Sequence, residues 1–185
     1  MAPEPRREAA AVLSDEETTR TLASAVREIE AHAAESGWDR SASLYALVPT
    51  AELVVAEPAL ADALGLSTDS RGFTPIDQEL PADTVLEDAL GKIMWPDGVV
   101  GCAAVVERLV LPPSADEHIP EDREAAASYA AEHPERQELR MVGAVLRDGT
   151  TWCAYRFRSH DDPAQVVTGP DLVPALLELL QATLV

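Results

Sequence analysis

Basic residues are scarce in this 185-residue chain: 14 lysines and arginines face 33 acids, the formal net charge is −19, and the one lysine is Lys92. A field of this sign repels polyanions, because binding DNA takes clustered Lys and Arg that displace condensed counterions. Nucleic acid and anionic membrane surfaces are therefore not expected partners. Long apolar runs are also missing. No stretch reaches the roughly 18 to 20 apolar residues of a membrane span, and the opening "MAPEPRREAAAVLSDEE" has basic residues but no hydrophobic core behind them, so neither a membrane helix nor a secretion signal is expected. The expected location is the cytoplasm. Cysteine occurs only as Cys102 and Cys153, both in apolar strand-like runs, which fits reduced, buried thiols better than a disulfide staple. Aromatics make up 4% of the chain and restrict interface anchors to Trp38, Trp95, Trp152 and the tyrosines.

Familiar catalytic and cofactor motifs are lacking as well. There is no GxSxG elbow for a nucleophilic serine, and no GxGxxG or Walker loop to cradle a phosphate. No HxxxH or HExxH spacing occurs. "SHDDP", Ser159 to Pro163, offers a histidine and two carboxylates, but adjacent residues on a strand point apart, and Asp161-Asp162-Pro163 reads as a turn. "DEHIPED" around His118 reads as a solvated acidic loop. No cofactor and no metal site is expected, and whether the chain is an enzyme stays open.

What the sequence does contain is an ordered succession of helical and extended patterns. Residues 1–13, with two prolines and no periodic stripe, read as a disordered tail, so a single domain is expected over 14–185. Ser14 and Glu17 have capping-box spacing, and Leu22, Ala25, Val26, Ile29 and Ala33 share one helical face that Gly37 ends. Leu44 to Val48 is a short strand, followed by a helical stretch divided at Pro58. Ser67 to Pro81 reads as a loop. Asp83 caps a third helix whose buried stripe is Leu86, Ala89, Leu90, Ile93 and Met94. Val99 to Leu111 is a long strand, then an acidic connection with a short alanine-rich helix. Asp148-Gly149 between two extended runs is a hairpin signal; a two-residue loop there pairs Arg147 with Thr150 and Met141 with Arg156. A last helix runs from Pro170 or Asp171, with Pro174 in its first turn. The fold class is α+β: an antiparallel sheet of about four strands with helices packed on it.

The long strand raises one question, because "VVERLVLPP" carries Glu107 and Arg108 side by side and so sends one charge to each face of the sheet. On a one-sided sheet the strand should be covered around Cys102 to Val106 and run out of cover near Glu107. Glu107 should then pair with Arg140 or Arg156 on the neighbouring strand. Glu107, Arg108, Arg140, Arg156 and Arg158 are the ligand-binding candidates, since a guanidinium fork matches a carboxylate or phosphate bidentately. The same residues also read as ordinary ion pairs and solvated strand ends. No catalytic residue is identified.

"GWDR", "LYALVPTAEL", "WPDGVVGCAAVVERLVLPP", "HPERQELR", "LRDGTTWCAYRFR" and "TGPDLVPALLELL" together resemble a family of small, acidic, uncharacterised actinobacterial proteins, over nearly all of Gly37 to Leu184. That resemblance implies no activity, cofactor or catalytic residue. In helix and strand order the chain is also similar to bacterial secretion chaperones and related small α/β binding domains. The expected function is a binding or adaptor module that engages a partner protein, with itself as partner in a homodimer; the alternative is a small-molecule site or enzyme built on the Arg and Glu residues of the sheet.

Overall fold

β-Branched and apolar runs pair into six strands in this computed structural model, which describes residues 14–67, 69–81 and 84–184. They are β1 (Ser43–Pro49), β2 (Phe73–Gln78), β3 (Gly101–Val110), β4 (Gln137–Leu146), β5 (Thr151–Phe157) and β6 (Val167–Gly169). All neighbours are antiparallel, in the order β2-β1-β3-β4-β5-β6. The α+β class holds, with six strands rather than about four. The two that pattern reading left out are the two edges. β2 carries Pro75 in its middle, which an edge strand tolerates because its outer side has no ladder to complete. β6 is only three residues long, too short to show an alternation. The residue 1–13 tail and the Asp83 cap lie outside the described residues.

Helices cover both faces of the sheet. On one side lies α1 (Asp15–Glu35), where the Ser14 hydroxyl accepts the Glu17 N–H at 3.3 Å and Leu22, Val26 and Ile29 are buried against Val105, Val142, Ala144 and Ala154. On the other lie α4 (Leu86–Leu90) and α6 (Pro174–Gln181), whose Leu90, Leu176, Leu177 and Leu180 meet Cys102, Ala104, Val145 and Cys153. Each leucine so buried contributes roughly 1.5–3 kcal/mol. Between β1 and β2 sit α2 (Thr50–Ala56) and α3 (Pro58–Ala63), split at Pro58 as the sequence indicates. The alanine-rich α5 (Arg123–Glu132) joins β3 to β4 and buries nothing, which agrees with its weak apolar face. Among the described residues no helix is long and apolar enough to cross a membrane.

Three local expectations change. The sheet is not one-sided: Gly101 to Val106 is buried on both faces, so an unbroken apolar run, not an alternation, precedes Glu107. The hairpin loop has three residues, not two. Gly149 donates to the Leu146 carbonyl at 2.9 Å and holds φ +88, a type I turn closed by a left-handed glycine, so Leu146 faces Thr150. The register moves by one, pairing Arg140 with Arg156 and Met141 with Tyr155. Finally, both late helices are shorter than their apolar patterns. Gly91 stops α4 at Leu90, so Met94 leaves the buried stripe and stands 91% exposed; α6 begins at Pro174, its first helical residue.

Candidate functional site

The corrected register decides where the charges go. Glu107 lies opposite Arg140, and Arg140 opposite Arg156, so all three form one row across the sheet on the α1 face. There they meet the C-terminal end of α1 and the loop that follows it, Gly37-Trp38-Asp39-Arg40. Arg140 is 1% exposed, and of its two terminal nitrogens Nη2 is engaged while Nη1 has no hydrogen-bond partner among the described residues. Its Nη2 donates to the Glu107 carboxylate at 3.2 Å and to the Gly37 carbonyl, and its plane lies 4.3 Å from the centre of the Trp38 ring. The other Glu107 oxygen accepts the backbone N–H groups of Asp39 at 2.8 Å and Arg40 at 3.2 Å. One carboxylate therefore holds a strand arginine and two turn amides together.

Asp39 has φ +63, the left-handed region that an aspartate enters more readily than most residues. Its side chain takes both Arg158 nitrogens, at 2.8 and 2.9 Å, and Glu138 takes Arg158 as well at 2.6 Å. Arg158 keeps the Asp39 carboxyl below the usual carboxylate range, and the two acids raise Arg158 above its ordinary value. Arg156 is buried under α1. It binds Glu30 at 2.7 Å and Asp161 at 3.0 Å; burial works against its charge, but these two carboxylates outweigh that and leave its pKa raised. Asp161 also accepts the Trp38 indole N–H at 2.9 Å, and this bond, with Arg156, lowers its pKa against the opposing effect of burial. Loop, helix and sheet are thus tied by three arginines and five carboxylates.

The five candidates do not form one site. Glu107, Arg140, Arg156 and Arg158 belong to the network. Arg108 points to the opposite face, where it meets Glu87 of α4 at 3.2 Å with both side chains half-exposed. Glu107 and Arg140 also line a half-open polar cleft of about 660 Å³, walled by Arg40, Ser43, Tyr45, Asp77 on β2 and Glu79 just after it. Burial and the nearby Asp77 raise the Tyr45 pKa. Arg156 and Arg158 do not reach this cleft.

Residues that sequence reasoning passed over supply much of the cluster. Glu30 stands four residues after Val26 and so on the buried stripe of α1, a carboxylate where an apolar residue was due. That position was the available signal. From the sequence Trp38 reads as an interface anchor, and Asp161 as a turn residue or, more weakly, as one carboxylate of a cation site in "SHDDP". The two cysteines are free and buried, and burial drives the Cys102 thiol up to about 11 and raises Cys153 as well, which favours the protonated thiol.

Fold and cluster together define an antiparallel α+β domain, helices on both faces, in which the loop after the first helix is clamped to the sheet by arginines. The chain belongs to the PPA1309-like protein family, whose model matches residues 22–185 and so includes every member of the network. No curated protein and no solved structure matches it.

Proposed function

We propose that the chain is a cytoplasmic, non-enzymatic binding module that engages a partner protein, with a second copy of itself as the first partner. What speaks against the ligand-receptor reading of the arginines is their use. Arg140, Arg156 and Arg158 are each paired with intramolecular carboxylates, which leaves single buried nitrogens, Arg140 Nη1 and Arg156 Nε, without a partner among the described residues rather than an open fork for an anion.

The observation that carries the docking reading lies on the α4–α6 face. Met94 projects into solvent at a partly apolar groove of about 380 Å³ that it lines with Leu90, Ile93, Trp95 and Leu179 and with the polar Glu87 and Thr183. Its backbone is pinned: the Trp95 indole donates to Thr183 at 2.9 Å, and Arg147 donates to the carbonyls of Trp95, Val99 and Leu184 at 3.2, 2.8 and 2.8 Å. An exposed methionine beside a partly apolar groove gives this face a knob and a hole of its own. A two-fold axis would seat each Met94 in the other copy's groove. Light scattering on the eluting full chain tests this. The wild-type should elute with a mass well above 19.8 kDa at high micromolar concentration, and Met94→Glu should return it to 19.8 kDa. A wild-type monomer under those conditions would count against the reading.

A second reading, a small-molecule site on Glu107 and Arg140, is favoured by the 660 Å³ cleft these residues line. It calls for a ligand that shifts the amide resonances of Ser43 and Tyr45 in the wild type and not in a Ser43→Trp variant.

A further inference from the structure

Strand register sets the floor of the polar cleft that Glu107 and Arg140 line. Tyr45 lies opposite Asp77 across β1 and β2, and Ser43 opposite Val105 across β1 and β3, so these side chains share the α1 face of the sheet with Glu107. Tyr45 is only 7% exposed. Burial raises its pKa most, the Asp77 carboxylate raises it further, and the neighbouring Ser43 hydroxyl acts the other way. That Ser43 hydroxyl is the one hydrogen-bonding neighbour of the Tyr45 hydroxyl among the described residues, and a phenol that can both donate and accept keeps capacity to spare. Unlike Arg140 Nη1, the Tyr45 oxygen is not sealed from solvent, and the groups around it, Ser43 and Asp77, both line the cleft. The charges of the lining do not cancel. Glu107 is held by Arg140 and Asp39 by Arg158, and His32 faces Glu35 at 3.8 Å. What is left is Asp77 and Glu79, both exposed and without an ion pair among the described residues, against Arg40 alone. The cleft also opens at the last turn of α1, where the carbonyl ends of the helix favour positive charge.

We infer that the ligand of this cleft is a small aliphatic amine whose primary ammonium donates to the Asp77 and Glu79 carboxylates and to the Tyr45 oxygen. The inference rests on the small-molecule reading of the cleft and reverses the sign of ligand that its arginines suggest. Three N–H donors match an acceptor set of two carboxylates and a phenol oxygen, while the phenol proton stays on the Ser43 side. A carboxylate ligand would have Arg40 to bind, but it would bring a third negative charge beside Asp77 and Glu79. A neutral alcohol would leave the surplus charge where it is. Among the described residues no three His, Cys, Asp or Glu side chains converge as metal ligands, so a bare metal ion is a poor match for these acids. The cleft lies on the α1 face, across the sheet from the Met94 groove.

The test is an amide-shift titration of the ¹⁵N-labelled full chain at neutral pH and physiological salt, where the general field of a −19 chain is screened beyond roughly 8 Å. The probes share one alkyl chain: butylamine, butanoate and butanol. Butylamine should shift Tyr45 and Asp77 saturably below about 10 mM, and the acid and the alcohol should bind at least about tenfold more weakly. Asp77→Asn, at an exposed position of an edge strand, and Tyr45→Phe should each weaken butylamine at least about fivefold while the amide resonances of α6 stay in place. Arg40→Gln removes the competing cation and should strengthen it. Butylamine that does not saturate, shifts spread over acidic residues throughout the chain, equal binding of the three probes, or unaltered binding in Asp77→Asn would overturn the inference. Saturable butanoate binding that disappears in Ser43→Trp would overturn it too, yet leave the small-molecule reading standing; no saturable shift with any probe would count against both. A capped lysine, Nα-acetyl-lysine methylamide, carries the same head on a peptide backbone. If it bound at least about tenfold tighter than butylamine, the ammonium would belong to a protein side chain and the small-molecule source would fall.

Discussion

Glu107 and Arg108 are neighbours in sequence and differ in almost everything else. Glu107 is 19% exposed and satisfies three donors from a strand and a turn. Arg108 shares one half-exposed ion pair with Glu87 across the other face. Urea unfolding should separate them. Glu107→Gln sets an amide N–H₂ against Arg140 or the turn amides and should lose about 1–3 kcal/mol, whereas Arg108→Gln should stay within about 0.5 kcal/mol, as solvent-screened pairs do. Equal losses would contradict the division. The same residues give the network its pH dependence. Asp39 and Asp161 have carboxyl pKa values depressed in the folded chain, so their contribution is present above the unfolded aspartate value and is lost as pH falls through the folded one. The Trp38 indole N–H resonance, hydrogen-bonded to Asp161, should therefore hold steady from neutral pH to about 4 and shift below it. A resonance unmoved at about pH 2 would refute the linkage.

Among the elements, the readable ones were those whose pattern and packing agree. The stripe of α1 follows from its period, the long β3 from its apolar run closed by prolines, and the two strands of the hairpin from the extended runs on either side of Asp148-Gly149. Elements whose form depends on neighbours did not. β2 is a strand because β1 offers it a ladder, and Pro75 can sit there only because the strand is an edge. The one-residue register change follows from Gly149, since both a two-residue and a three-residue loop accept Asp-Gly and the letters do not choose. The site was half visible for the same reason. Charges within or at the end of apolar strand runs stand out, so Glu107, Arg140, Arg156 and Arg158 could be singled out, while Glu30, Asp39 and Asp161 join them only through tertiary contact. Close packing between β3 and β4 provides a test of the element scale. A Cβ at Gly101 would lie 2.5 Å from the Val145 carbonyl oxygen, a backbone atom that cannot swing aside. Gly101→Ala should cost about 1–3 kcal/mol in a denaturant melt, and an unchanged midpoint would contradict this packing.

At the scale of the whole molecule two properties pull in opposite directions. A net charge of −19 keeps copies apart and should leave the chain without measurable affinity for duplex DNA at physiological salt; a submicromolar electrophoretic shift would reverse that. In the proposed dimer, Met94 and its groove are what would draw copies together, through apolar contact. Met94 is the most exposed of the large apolar side chains among the described residues, so the proposed association is assigned to its surface, and salt should strengthen it by screening the repulsion. Sedimentation equilibrium of the full chain, from low to high micromolar concentration at low and at high salt, tests the proposal most directly. The predicted result is a weight-average mass that climbs from 19.8 kDa toward twice that value, and climbs earlier at high salt. A mass fixed at 19.8 kDa across every concentration and both salt conditions would contradict it.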